Sequence, residues 1–407
     1  MKVLIDSRND SPYGIGRYVS ELTTALARLQ RADNDSIVLL THELRSNLVI
    51  PQEVISEWFP YSLDELETLS KVSERVQSSV IHCTDYRIPL TYLKSAVVVS
   101  IHDIHRYYNE DYCYDDKSFI RKYSAGLLED LKYVEKIVRT NLPSPKRQSP
   151  VSSNHGKYYA AMLWWAIYRA DVILTPTQVV RDQIVDTFDV RCPIEIIPYG
   201  VDHEAWGPRA HFEDSRANES VNLDLERSYF LYVGHDRPHK NVRLLLEAFR
   251  QCALVDLRPS LILVGADFEN NDYVKWFVKT HSLSARTRII GQVSDSTLMR
   301  LYEHAAALIH LASDEGFGFT PLEAASLGTN VVVADAPVFH ETLGPSTRFV
   351  NQFDTEAVTD AMLDMLRSST ISSEVRAKAS SYQWTFTAAE TYKAYLMADL
   401  VFRRRAR

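Results

Sequence analysis

The chain has 407 residues, 45% of them hydrophobic and 24% charged, and a formal net charge of −8. That length exceeds one ordinary core and predicts two domains with a cleft between them, and the acidic balance argues against a nucleic-acid partner. Four scattered cysteines without a C-x-x-C pair fit free thiols and no structural zinc site. The start MKVLIDSRND runs straight into a strand pattern and no apolar run reaches bilayer length, so a cytoplasmic protein is expected.

In chain order, the first half alternates KVLID, a helical YVSELTTALARL, SIVLLT, SVIHC, AVVVSIHD, a long helical region, DVILTPT and RDQIVDTF. The second half repeats the pattern with YFLYVG, NVRLLLEAFRQCAL, SLILVG, YVKWFVKTHSL, RIIGQV, STLMRLYEHA, ALIHLA and NVVVADA. Strands separated by crossover helices predict an α/β protein with parallel sheets and ligands at the carboxyl ends of the strands. The change falls after IIPYGVDHEAWG, which places domains at 1–200 and 201–385, with a polar linker over 207–228 and a final helix and basic tail over 386–407. Residues 106–157 interrupt the first domain: HRYYNEDYCYDDKSF is charged, and the proline- and serine-rich NLPSPKRQSPVSSNHG is expected to be mobile. This insertion suits either acceptor recognition or a plain solvated surface.

Several segments carry groups with chemical potential. YGIGRYVSEL places Gly14 and Gly16 before a helix, but the third glycine of a dinucleotide fingerprint is absent, so Gly16 and Arg17 are second-rank candidates. AVVVSIHDIH ends a buried strand with His102 and Asp103, and a metal reading of that pair lacks a companion H-x-x-x-H or acidic cluster. MLWWAIYRA and the tail VFRRRAR, with Arg403, Arg404, Arg405 and Arg407, are candidates for peripheral contact with an anionic membrane, against a core reading for Trp164 and Trp165 and a solvated one for the tail. YVGHDRPHKN sets Gly234 at a strand end and Arg237, His239 and Lys240 just before a helix, where cations meet phosphates.

The richest segment is ASDEGFGFTPLEAASLGTNVVVADAP. Thr320 is the expected N-cap and Pro321 the first residue of a helix that Gly328 closes, followed by a buried strand at Val331–Val333. Gly316 and Gly318 let the backbone approach a ligand, and the first helical turn favours a phosphate. Glu315 and Glu323 suit hydroxyls of a sugar and a ribose; the plainer alternative is that Glu315 ends a loop and Glu323 complements the helix dipole.

EGFGFTPLE resembles the E-x7-E signature of the retaining glycosyltransferases of family 4, and the resemblance extends over nearly the whole chain. It implies the GT-B fold, two Rossmann-like domains facing each other across a cleft, with the last helix crossing back to the first domain. It also implies that Glu315 contacts donor sugar hydroxyls, that Gly316, Phe317, Gly318 and Thr320 hold sugar and phosphate, and that Glu323 holds the ribose. Lys240 matches the diphosphate-binding lysine, with Arg237 beside it and Gly234 before it. Gly16 matches the glycine-rich first loop, and His102 a residue near the reacting sugar. Two departures stand out: His235 occupies the place of a common arginine, and Tyr199 replaces the asparagine of IPNGVD. The activity implied is transfer of a sugar from a nucleoside diphosphate sugar, GDP-mannose or a UDP-sugar, to a hydroxyl of a polysaccharide precursor, lipid-linked glycan or small molecule. Neither cofactor nor metal is expected, since no D-x-D stands on a loop. The rival readings are a sugar-nucleotide epimerase and a non-catalytic relative that binds a partner through the insertion.

Overall fold

The computed structural model describes residues 1–9, 14–29, 36–45, 48–55, 60–91, 93–201, 228–367 and 371–405. Two compact units emerge, Met1–Gly200 with Trp384–Arg407, and Val201–Gln383. Almost all of the expected linker 207–228 lies outside the described residues, as does Arg407.

The first unit is built on seven strands: β1 (Lys2–Asp6), β2 (Ser36–Thr41), β3 (Gln52–Val54), β4 (Val80–Cys83), β5 (Ala96–Ser100), β6 (Val172–Thr175) and β7 (Ile194–Ile196). Every pairing is parallel, in the order β3-β2-β1-β4-β5-β6-β7. Strands β4, β5 and β6 are buried along their whole length, which is why VIHC, AVVVS and VILT do not alternate: helices cover both faces. The first helix is Gly14–Leu29, so Gly14 and Gly16 stand inside its first turn rather than before it, and Gly16 is buried.

Residues 106–157 are largely helical, with helices at His105–Tyr108, Asp116–Lys122 and Ala125–Asn141 leading to Asn154–Arg169. The stretch expected to be mobile is tied down. Tyr107 donates to the Arg147 carbonyl at 2.8 Å, Trp164 Nε1 donates to Pro143 at 2.8 Å, and the Ser153 amide donates to Glu110 at 3.1 Å. Proline-rich composition removes backbone donors but leaves carbonyls, and Tyr107 of the insertion and Trp164 just beyond it supply partners. Trp164 and Trp165 are buried core residues at 4% and 7% exposure, which fits the core reading of MLWWAIYRA.

The helix Trp384–Arg405 packs on Gly14–Leu29 and on β5 within the first unit. A buried polar chain fixes it. Tyr395 Oη meets His82 Nδ1 at 2.8 Å, His82 Nε2 meets Ser100 Oγ at 2.8 Å, and Ser100 Oγ meets Tyr18 Oη at 2.8 Å. Burial, with His102 nearby, lowers the His82 pKa to about 3, so the ring is neutral. Gly200 makes this seat possible, because a Cβ there would lie 2.3 Å from the Trp384 nitrogen.

The second unit has six strands: β8 (Tyr229–Val233), β9 (Ser260–Val264), β10 (Thr287–Ile290), β11 (Ala307–His310), β12 (Val331–Ala334) and β13 (Arg348–Val350). They are parallel in the order β10-β9-β8-β11-β12-β13, so the order reverses between β8 and β11. Side chains such as Phe230, Leu263 and Ile309, none of them exposed, meet helices such as Val242–Val255 in one core. The loops leaving β8 and β11 start from adjacent strand ends at this reversal, the place where open α/β sheets take ligands.

Candidate functional site

At the β8/β11 switch point two loops are stitched together. After β8, Pro238–Lys240 forms a 3-10 turn and Asn241 adopts the left-handed conformation, φ 52°, to start the helix Val242–Val255. Asparagine tolerates that conformation better than most residues. Its Nδ2 donates to the Leu311 carbonyl at 2.9 Å, and the Ser313 amide donates to the His239 carbonyl at 2.9 Å. The β8 end is crowded as well: a Cβ at Gly265, after β9, would lie 2.0 Å from the Gly234 carbonyl oxygen.

These stitches bring Lys240 and Glu315 together. Lys240 Nζ is ion-paired with Glu315 Oε1, and the same oxygen accepts from His310 Nε2 at 3.1 Å. Burial alone would raise the Glu315 pKa, but the Lys240 charge and the His310 hydrogen bond outweigh it and hold the carboxyl well below the usual range. The site therefore holds an ionised acid next to a cation. Arg237 is exposed and makes no side-chain hydrogen bond or ion pair among the described residues, so it is available at the rim. His235 Nδ1 lies 2.8 Å from Asp267 Oδ2.

Gly316, Phe317 and Gly318 are buried, and Gly318 has φ 84° with Phe339 where a Cβ would stand, 2.8 Å away. The expected helix start is corrected here. The helix is Phe319–Leu327, its N-cap is Gly318, and Thr320 makes no capping bond. Pro321 is thus the third helical residue, still within the turn whose amides lack intrahelical partners, so the missing N–H disrupts nothing. Gly328 does close the helix, at φ 95°; its amide and that of Thr329 donate to the carbonyls of Ala325 and Ala324, each at 3.0 Å. Because the helix begins earlier, Glu323 falls in the second turn. It is 2% exposed and accepts from Tyr302 Oη at 3.2 Å. A buried, hydrogen-bonded carboxylate beyond the first turn is poorly explained as a surface complement to the helix dipole.

His102 and Gly16 belong to the first unit. His102 follows β5, and both ring nitrogens are engaged: Nε2 donates to the Thr84 carbonyl at 2.7 Å and Nδ1 accepts from Tyr199 Oη at 2.5 Å. Any direct bond from this ring to a ligand must displace one of those partners. Tyr199 itself is buried, stacked on Trp384 with centroids 6.2 Å apart and an interplanar angle of 8°. At the strand reversal of this sheet, between β1 and β4, Arg8 pairs with Asp6 at 2.6 Å and Arg87 pairs with Glu65 at 2.7 Å and with Asp85. Those charges are compensated within the protein.

Sequence reasoning missed His310, Tyr302 and Asn241. A histidine inside the apolar run ALIHLA and an asparagine between a cation and a helix were visible signals. No three His, Cys, Asp or Glu side chains cluster as a metal ion would require among the described residues.

Two family models match the chain: Glycosyl transferases group 1 over residues 214–384 and Glycosyltransferase Family 4 over residues 12–205. The chain belongs to the group 1 glycosyltransferases. Relatives of this chain include the O-antigen chain mannosyltransferase RfbU of Salmonella typhimurium, 29% identical over 208 residues, 48% of this chain and 51% of that one. Another is the O-antigen chain mannosyltransferase B of Escherichia coli, 25% identical over 244 residues, 59% of this chain and 64% of that one. The matches thus span between half and two thirds of the length of those relatives. Among solved structures, sucrose-phosphate synthase from Thermosynechococcus elongatus aligns with a TM-score of 0.69 at 16% identity, covering 97% of this chain and 98% of that one. Anabaena HepE in complex with UDP and glucose aligns with a TM-score of 0.63 at 17% identity, covering 97% and 100%. The fold of the chain is GT-B.

Proposed function

We propose that this glycosyltransferase moves a sugar from a nucleoside diphosphate to an acceptor hydroxyl, with retention of configuration and without a metal ion. The observation that carries the reading is the Lys240–Glu315 pair at the β8/β11 switch point, beside the buried Gly316–Gly318 loop. In this reading Lys240 and Arg237 neutralise the charge that develops on the diphosphate as its bond to the sugar carbon breaks. The amide-rich turn before Pro321 adds to that stabilisation, which is the kind of preorganised electrostatics that dominates many rate enhancements. Glu315 accepts from sugar hydroxyls and Glu323 from the ribose. The acceptor oxygen bonds to the sugar carbon on the face the diphosphate leaves, and the acceptor's proton passes to the departing phosphate oxygen, so no protein nucleophile is needed.

The mannosyltransferase relatives make GDP-mannose the first donor to test and a polysaccharide or lipid-linked glycan the first acceptor class, with UDP-sugars next. A cytoplasmic protein with peripheral contact at an anionic membrane belongs to the same proposal. No helix among the described residues is long and apolar enough to cross a bilayer, and the exposed end of the last helix carries Arg403, Arg404 and Arg405. Of these, Arg403 pairs with Asp399 at 2.9 Å and Arg405 with Asp171 at 3.3 Å, which leaves less charge for lipid.

The test is thermal unfolding with GDP, UDP, ADP and dTDP, followed by product analysis with the matching sugar nucleotide. Saturation at about a hundred times Kd adds roughly 2.7 kcal/mol, a shift of several degrees. Stabilisation by one nucleotide and product formed only with an acceptor support the proposal. Formation of the epimeric sugar with no acceptor present makes the protein an epimerase, and binding without turnover makes it a non-catalytic relative.

A further inference from the structure

The last residue of β11 is a histidine where the strand otherwise reads Ala-Leu-Ile, and it is 2% exposed. A buried imidazole is costly unless its nitrogens are satisfied, and an apolar residue would fill the place more cheaply. Only one nitrogen is satisfied. Nε2 donates to Glu315 Oε1 at 3.1 Å, whereas Nδ1 is buried with no hydrogen-bond partner. The Phe339 ring stands edge-on to the imidazole, centroids 5.6 Å apart at 89°, and keeps it from turning freely. Phe339 is also the ring that Gly318 leaves room for, so strand, acid and glycine loop share one packing arrangement.

We infer that His310 is a positioning residue for Glu315: its Nε2–H holds the carboxylate in the orientation that receives the donor sugar once Lys240 has turned to the diphosphate. The inference rests on the proposed role of Glu315 and adds a residue to it. In the free protein Glu315 has two partners, Lys240 and His310. A diphosphate carries more charge than one carboxylate and competes for the lysine, whose flexible stem lets it move. His310 sits on a strand and does not follow. Burial lowers its pKa and keeps it neutral, although Glu315 acts in the opposite sense, and Lys240 is the other charged group that faces it. A neutral donor with one N–H fixes an orientation without adding a second cation that would compete with sugar hydroxyls for the acid.

The test uses the full chain with His310→Phe, which keeps a ring and removes the donor, and His310→Gln, which retains an N–H. Binding is measured for GDP against GDP-mannose and for UDP against UDP-glucose. His310→Phe is expected to weaken the sugar nucleotide by about tenfold or more while the diphosphate stays within about threefold, and His310→Gln to recover most of the loss. Equal losses in the two variants, or none in either, overturn the inference by making His310 mere packing. Should the phenylalanine variant not fold, His310→Leu replaces it in the same comparison. Nitrogen-15 spectra of labelled histidines decide the point without any ligand. An Nε2–H tautomer whose signal moves in Glu315→Gln supports the inference, and an Nδ1–H or doubly protonated ring at neutral pH overturns it. If that signature holds but wild-type protein binds GDP-mannose and UDP-glucose no differently from GDP and UDP, the sugar-holding role of Glu315 falls while the geometry of His310 stands.

Discussion

Glu315→Gln separates the two halves of a sugar nucleotide. In the free protein Lys240 is committed to Glu315, with side chains 17% and 20% exposed, between the surface and buried limits for ion pairs. Releasing the lysine is worth about 1 kcal/mol in that setting, so the glutamine variant should bind a nucleoside diphosphate about fivefold more tightly. The sugar nucleotide gains the same amount but loses hydrogen bonds from its hydroxyls to a charged acceptor, about 1.5–3 kcal/mol. The ratio of the two dissociation constants should therefore shift against the sugar nucleotide by about 10- to 100-fold. Calorimetric titration of both variants with GDP and GDP-mannose, and with UDP and UDP-glucose, reads the ratio directly. A variant that weakens diphosphate and sugar nucleotide by one common factor refutes the reasoning, because it would mean that Glu315 helps Lys240 hold the phosphate rather than competing for it.

Lys240→Ala should lower turnover about a hundredfold or more, measured as product per enzyme at saturating donor, while circular dichroism stays native. The same change strands a mostly buried carboxylate, so its midpoint of unfolding should fall by several degrees, from about 1–3 kcal/mol of lost stability. Gly265→Ala forces the Gly234 carbonyl to move and should cost about 1–3 kcal/mol in denaturant unfolding while weakening diphosphate binding. Tyr199→Phe keeps the stack on Trp384 but loses the bond to His102, about 1 kcal/mol, visible as a small drop in melting temperature. Acid unfolding should distinguish Glu315→Gln again: a carboxyl whose pKa is depressed on folding stabilises the protein above the ordinary value, about 4.3, and loses that contribution as the pH falls through the depressed one. Wild type should thus lose stability more steeply than the variant as the pH drops below that value.

Long buried strands and amphipathic helices were visible in the sequence because their patterns arise from burial on both faces or on one. VIHC, AVVVS, SLILV and VVVA are all buried or nearly so, and each was anticipated as a strand. The strands missing from the sequence reading, β3, β7 and β13, are three residues each at sheet edges and partly exposed, so QEV, IEI and RFV carry neither run nor alternation. The start of the helix after the glycine loop was misplaced for a different reason. Thr320 and Pro321 form a conventional start, but a left-handed Gly318 already turns the chain, and no side-chain cap is then required. The motif acids and Lys240 were found in the sequence; Tyr302 and His310 were not, because they come from a separate helix and strand and only the fold sets them beside Glu323 and Glu315.

Three histidines at or just beyond the carboxyl ends of strands, His82, His102 and His310, differ in what their nitrogens do. His82 gives both to protein hydroxyls in a chain that fastens the last helix. His102 gives both to a carbonyl and to Tyr199, which makes its ring part of the wall unless a ligand displaces one of them. His310 gives one to an acid that the sequence motif had already marked, and its other nitrogen faces no partner at all. A fully bonded buried histidine is explained by stability, since every polar atom is repaid within the fold. One that leaves a nitrogen unsatisfied is retained at a net cost, and the orientation of Glu315 is the return that the geometry offers for it.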